Sequence, residues 1–232
     1  MEEIRKTEKK YIVVIPARGG SKRLLHKNIL PLSGKPLIVH SIDYAKRCGK
    51  VDGIYVSTDD AEIKKIAEGN GVDVIQRPDT LSGDHCTTVS ALRHVAMTLI
   101  EEGIDFEYLI LLQATNPLRP LCMLDEALKV IENQNNDSLM TVSPYVGKLG
   151  KIVDGRFIPF NYVFGQRSQD MEPLYYENGL LYISKKDLIL SGRIMGDRMY
   201  PMIVTHPFGE IDIDTEEDFK RAEYYLNTYQ NE

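Results

Sequence analysis

The chain has 232 residues, 43% of them hydrophobic and 27% charged, enough apolar material to bury one sizeable core. No run approaches the roughly 18 apolar residues of a membrane span, and 28 Lys and Arg against 34 Asp and Glu leave a net charge of −6, which argues against broad contact with nucleic acid. The opening MEEIRKTEKK passes into YIVVIP without a secretory apolar region, and the three cysteines, Cys48, Cys86 and Cys122, lack metal spacing, so the expectation is a cytoplasmic protein with reduced thiols.

Apolar runs of strand length alternate with amphipathic segments of helix length. That is the pattern of an α/β fold in three layers, a mostly parallel central sheet covered by helices. A first strand at 11–16 runs into Ala17-Arg18-Gly19-Gly20-Ser21-Lys22-Arg23 and then Lys27-Asn28. This is a glycine-rich, basic loop at a strand's carboxyl end, where open α/β sheets place ligands. Paired glycines let backbone N–H groups approach an anion, and Arg18, Lys22 and Lys27 can neutralise a polyphosphate, with a triphosphate the natural guest. The loop is not G-x-G-x-x-G, and Gly34-Lys35 has Ile29 where a Walker glycine belongs and Pro36 after it. By composition alone it is equally a solvated turn; its place after the first strand gives it weight.

A helix at 36–48 follows, with Pro36 in its first turn, then a strand at 52–57 ending in Ser57-Thr58-Asp59. Asp59-Asp60 supply carboxylates for the N-terminus of a helix at 60–69. A strand at 72–76 leads to Arg77-Pro78, and Thr87-Thr88 enters a helix at 85–102; these are weak candidates for nucleotide contacts or ordinary capping chemistry. The strand at 108–112 ends in Gln113-Ala114-Thr115-Asn116-Pro117-Leu118-Arg119-Pro120, which predicts a rigid polar rim on the same sheet edge, before a helix at 121–134. From 143 to 178 the pattern breaks into Gly, Pro and aromatic residues with hairpin-like pieces, an arm within a single domain of residues 1–232. Strands at 180–184 and 200–204 flank a short helix at 185–191, and a last helix begins near 215.

Before that helix, Glu210-Ile211-Asp212-Ile213-Asp214 puts Asp212 and Asp214 on one side of an extended chain. Two carboxylates so close need a cation, and hard oxygen ligands on this spacing suit Mg²⁺. The plain alternative is that Asp214 or Thr215 caps the helix, with Thr215 and Asp218 at capping-box spacing. The five histidines show no metal spacing, and no Ser-His-Asp or Cys-His arrangement is traceable.

IPARGGSKRLLHKN, VSTDD, QRPDTLSGD, LLQATNPLR, ENGLLYIS and IDIDTEEDF in this order resemble the N-acylneuraminate cytidylyltransferases, over about residues 11–225. The resemblance implies a nucleotidyltransferase fold, a homodimer, Mg²⁺ dependence, and transfer of CMP from CTP to the anomeric hydroxyl of a 2-keto acid sugar with release of pyrophosphate. It implies that Ala17, Arg18, Gly19, Ser21, Lys22, Lys27, Asn28, Arg77 and Thr88 bind CTP, with Arg18, Lys22, Asp212 and Asp214 catalytic and the two aspartates on the metal. Gln113, Arg167, Gln169 and Asn178 would meet the sugar, with Lys148 and Lys151 further candidates for its carboxylate, and the arm would help close a partner's site. Gln113-Ala114-Thr115-Asn116-Pro117 differs from the Gln-Gly-Asp-Glu-Pro usual in the related 3-deoxy-manno-octulosonate enzymes. Tyr176 stands where many sialate enzymes carry an arginine, which leaves legionaminate, pseudaminate or another ulosonate open. Asp-Ile-Asp also mimics the Asp-x-Asp of metal-dependent glycosyltransferases, and a non-catalytic nucleotide sensor is the rival outside enzymology.

Overall fold

The computed structural model describes residues 7–229 apart from Lys22, Asp84, His85 and Asn135. In chain order the elements begin with β1 (Thr7–Pro16), the two-residue strands β2 (Pro31–Leu32) and β3 (Lys35–Pro36), α1 (Leu37–Arg47), β4 (Gly53–Thr58), α2 (Ala61–Gly69) and β5 (Asp73–Gln76). They continue with α3 (Thr88–Glu101), β6 (Ile104–Leu111), α4 (Met123–Asn133), β7 (Ser138–Tyr145), β8 (Gly150–Val153) and β9 (Arg156–Pro159). The last are β10 (Leu174–Lys185), α5 (Lys186–Leu190), β11 (Met199–Ile203) and α6 (Glu216–Thr228).

The main sheet has seven strands in the order β11-β7-β10-β6-β1-β4-β5. Only β10 runs against the others, so the sheet is mostly parallel as the alternation of elements predicts. Strand side chains alternate with period two, and β1 uses both faces. Tyr11, Val13 and Ile15 pack with Ile38 and Ile42 of α1 and Leu124, Leu128 and Ile131 of α4. Ile12 and Val14 pack on the opposite face with Leu92, Val95 and Leu99 of α3 and Ile189 of α5. Each such aliphatic side chain contributes about 1.5–3 kcal/mol by leaving water, which makes β1 the axis of the fold.

Four boundaries differ from expectation for one reason: pairing recruits residues that lack a strand-like pattern. β1 starts at Thr7 because Thr7, Glu8 and Lys9 pair with Ile104, Asp105 and Phe106, which also starts β6 early. β10 begins at Leu174, where Tyr176 pairs with Ser143, so the ends of the expected arm belong to the main sheet and the hairpin β8–β9 with its flanking loops fills 146–173. Pro36 sits one residue before the first helical residue of α1 and pairs with Pro31.

A third apolar cluster positions the site. Leu32, Leu37, Leu118, Phe208, Ile211 and Ile213 gather around Ala222 of α6. This pins residues 211–214 beside the segments that follow β1 and β6. None of the described helices is long and apolar enough to cross a membrane.

Candidate active site

The basic loop is stitched to the end of β4. Ala17 N–H donates to the Ser57 carbonyl at 2.9 Å, Gly19 N–H donates to Asp59 Oδ1 at 3.1 Å, and Asn28 Nδ2 donates to the Arg18 carbonyl at 2.9 Å. Asp60 caps α2 by accepting from Glu62 and Ile63 N–H, and a Cβ on Gly19 would stand 2.5 Å from its Oδ2. Only glycine lets the loop pass this close. Beyond the loop opens a cavity of about 510 Å³, lined by Arg18, Ser21, Lys27, Asn28, Arg77 and Thr88 together with Arg23, Thr87, Gln113, Thr115 and Asp214. Six of the expected CTP contacts therefore share one cavity. Ala17 and Gly19 do not line it, their backbone being engaged by the end of β4, and Lys22 lies outside the described residues.

Arg77 is buried, with Nε on Ser57 Oγ at 3.1 Å and Nη2 on the Ser57 carbonyl at 2.7 Å. Burial lowers its pKa, and the nearby Asp59 carboxylate opposes that. Thr88 is the first residue of α3, whose N-cap Thr87 accepts from Ser90 N–H. The helix therefore turns its positive end towards a cavity already rich in cations, a suitable place for phosphate.

A second cavity of about 550 Å³ is lined by Gln113, Tyr176, Glu177, Tyr182, Asp212 and Arg221, among others. Gln113 lines both cavities, and Asp214 and Asp212 divide between the first and the second. Ile213 is buried between the aspartates and donates its N–H to the Thr115 carbonyl at 2.8 Å. The alternation read from Asp-Ile-Asp is thus realised as a carboxylate pair straddling the join.

Helix capping does not consume that pair. Thr215 and Asp218 form the reciprocal capping box of α6, which leaves the Asp214 carboxylate for other partners. Arg23 Nη1 reaches its Oδ2 at 2.7 Å, and Lys27 Nζ reaches its Oδ1 at 2.8 Å while also donating to the Ile213 carbonyl at 2.7 Å. Among the described residues no ion pair reaches Asp212. Desolvation raises its pKa, the Thr115 hydroxyl opposes this, the like charge of Asp214 adds to the rise, and the Lys27 ammonium offsets part of it from a distance. A carboxylate whose pKa is raised by burial beside a second one, both with oxygen donors, fits the one or two carboxylates that Mg²⁺ takes from protein. Among the described residues no group of three or more His, Cys, Asp or Glu converges as a metal site, so the pair would need substrate oxygens and water to complete a shell.

The rim after β6 is only partly a rim. Gln113 and Thr115 face the cavities, Asn116 borders the second one though almost fully buried, and Arg119 is buried beneath. Arg119 spreads its guanidinium over the carbonyls of Leu180 at 2.6 Å and Gln113 at 2.8 Å and over Ser41 Oγ at 3.0 Å. Burial lowers its pKa to about 10, which still leaves a cation at neutral pH. Asn116 donates to the carbonyls of Asn178 and Ile211, tying β10 to the aspartate segment. The two prolines stiffen a loop whose polar residues serve the backbone, because buried carbonyls demand donors.

Asn178 borders the second cavity but is buried, its side chain engaged by Thr141, Ser143 and the Leu180 N–H. Arg167 and Gln169 line neither cavity; Arg167 makes a two-pronged contact with Asp170 on the arm. Lys148 and Lys151 lie over Tyr162 and Phe160 of the arm and also line neither cavity. Thr115 of the expected rim lines the first cavity, and conversely Glu177, Tyr182 and Arg221 line the second without having been singled out. Arg221 and Tyr182 read as ordinary residues of a helix and a strand, and no spacing announces that they face a shared space.

Residues 12–231 match the family model described as Cytidylyltransferase. The chain is 34% identical over 218 residues to an N-acylneuraminate cytidylyltransferase of Streptococcus agalactiae serotype III, a match covering 90% of this chain and 52% of that protein. The chain thus spans about half the length of that relative. It is 32% identical to a CMP-N,N'-diacetyllegionaminic acid synthase of Legionella pneumophila, with 94% and 97% of the two chains covered. It is 30% identical to a pseudaminic acid cytidylyltransferase of Campylobacter jejuni, with 92% and 94% covered. In fold it resembles a CMP:2-keto-3-deoxy-manno-octonic acid synthetase solved in complex with CTP, with TM-score 0.69, 18% identity, and 95% of this chain and 99% of that one covered. With a family match over nearly its whole length and relatives aligned over more than nine-tenths of both chains, this chain belongs to the cytidylyltransferase family.

Proposed function

We propose that this protein transfers CMP from CTP to the anomeric hydroxyl of a 2-keto-3-deoxy acid sugar of the nonulosonate class and releases pyrophosphate. The observation that carries this reading is the pair of cavities meeting at Gln113, with a cationic, glycine-rich loop on one side and Asp212 on the other. The full-length relatives named for legionaminic and pseudaminic acid support the nonulosonate class. The family match favours cytidylyl transfer over glycosyl transfer as the use of Asp-Ile-Asp.

Displacement at the α-phosphorus needs positioning and charge neutralisation more than covalent chemistry. Ser21, Lys27, Asn28, Arg77 and Thr88 hold CTP, and Arg18 and Lys22 balance the charge that grows on the departing pyrophosphate. Gln113, at the join, meets the sugar. Asp212 and Asp214 hold Mg²⁺, which when bound neutralises phosphate charge and acidifies the acceptor hydroxyl. Arg23 and Lys27, which pair with Asp214, also line the cavity that would take the phosphates. Phosphate binding therefore competes for them and frees the Asp214 carboxylate.

The working unit is a cytoplasmic homodimer in which the arm covers the partner's acceptor cavity. Supporting this, the arm exposes Val146, Ile152, Phe160, Val163 and Phe164, large apolar side chains of the kind that mark an interaction surface.

The test is pyrophosphate release with CTP and Mg²⁺ across N-acetylneuraminate, N,N'-diacetyllegionaminate, pseudaminate and 3-deoxy-manno-octulosonate. One nonulosonate should give a strong response that EDTA abolishes and that D212N loses while still folding. CTP binding without turnover of any acid would favour the sensor, and a response to the octulosonate alone would move the acceptor class.

A further inference from the structure

The second cavity contains a hydrogen-bond chain whose direction is fixed by chemistry. Tyr182 Oη donates to Glu177 Oε1 at 2.5 Å, and Gln113 Nε2 donates to Tyr182 Oη at 3.4 Å. All three residues line the cavity that also contains Asp212.

Glu177 and Tyr182 could not meet on a regular strand. Five residues apart, they would face opposite sides of the sheet and stand about 17 Å apart. The irregularity in β10 between Glu177 and Tyr182 removes both obstacles. Gly179 at its centre has φ +76°, and a Cβ there would stand 2.9 Å from the Asn116 amide. The bulge is thus built around a glycine and locked by Asn116 from below.

The proton order follows from donor and acceptor capacity. An ionised carboxylate only accepts, so the phenol must give its one proton to Glu177. Its oxygen then has only lone pairs left for Gln113, which must present its NH₂. The Gln113 carbonyl oxygen is left pointing elsewhere on a residue shared by both cavities.

Resting on the proposed transfer reaction, we infer that Glu177, acting through Tyr182, is a positioning residue that holds the Gln113 amide with its carbonyl oxygen towards the acceptor. The site thereby selects an acid sugar that presents a hydrogen-bond donor there, a hydroxyl or an acylamino N–H.

The test measures KM for the responsive acid and for CTP separately, by pyrophosphate release, in wild type, E177A, E177Q and Y182F. Thermal melts confirm that each variant is folded. E177A and Y182F remove the cause of the amide orientation and raise the acid KM about tenfold, the worth of one hydrogen bond, while the CTP KM moves less than about twofold. E177Q, whose amide oxygen still accepts from the phenol, recovers most of that loss. The ratio of rates between acids with and without a hydrogen-bond donor, hydroxyl or acylamino N–H, at that position falls in E177A, a change that mere loosening of the fold does not produce.

An unmoved acid KM in E177A, or equal loss in E177Q and E177A, overturns the inference while leaving the reaction intact. Wild-type protein that turns over none of the acids overturns the reaction reading and the inference with it.

Discussion

Arg119 offers the sharpest test of how the site is held. Replacing it with alanine strands the Leu180 carbonyl, removes a partner of Ser41 Oγ, and leaves the Gln113 carbonyl only its longer bonds from Asn116 N–H at 3.2 Å and Ser41 Oγ at 3.4 Å. A buried carbonyl left unpaired costs about 1–3 kcal/mol, and the weakened Gln113 contact and the vacated space add to that, whereas relief from burying a guanidinium offsets part of it. The net is about 3 kcal/mol, which for a chain of this length is a fall of about 6–12 °C in Tm. R119K keeps the charge but cannot span three acceptors with one ammonium, so its melt falls between the two. Differential scanning calorimetry reads the stability, and because the Gln113 carbonyl is one of the lost partners, the acid KM rises more than the CTP KM. A drop in Tm below about 2 °C in R119A would show that water satisfies these carbonyls and that the buried arginine is not the scaffold of the loop.

Three further outcomes follow from particular contacts. G19A forces the loop off the Asp60 carboxylate, so calorimetric CTP affinity falls about tenfold with little change in Tm; unchanged affinity would show that the loop has room to spare. Glu132 accepts from Lys50, Lys10 and Tyr11, and these contacts hold its pKa down at about 2. A depressed carboxyl pKa gives stability that is present above the unfolded value and lost as pH falls through the folded one. The stability gap between wild type and E132Q, about 1 kcal/mol at pH 7, therefore closes between about pH 4.5 and pH 2; a gap independent of pH would refute the ion pairs as its source. Light scattering of the purified chain should give the mass of a dimer, and serine at Ile152, Phe157 and Phe164 together should give a monomer that still melts cooperatively; a wild-type monomer at tens of micromolar would remove the arm from assembly.

Much of the fold is legible in the residues because its signals are local. The alternation within YIVVIP, the amphipathic spacing of Ile38, Ile42 and Ala45, and Asp60 before AEIKKIAE each act over a few residues, and the structure keeps them almost in place. The basic loop after β1 and the Asp-Ile-Asp segment are likewise local, and both line the site. Tertiary packing decided the rest. Strand pairing drew polar residues into β1 and the edge of the arm into β10, because a neighbouring ladder satisfies backbone groups whatever the side chains. Burial sent Asn116, Arg119 and Asn178 to the backbone instead of the rim, since carbonyls shut away from water need donors. The meeting of Glu177, Tyr182 and Gln113 depends on a bulge and on two segments distant in the chain, and no spacing in the sequence records it.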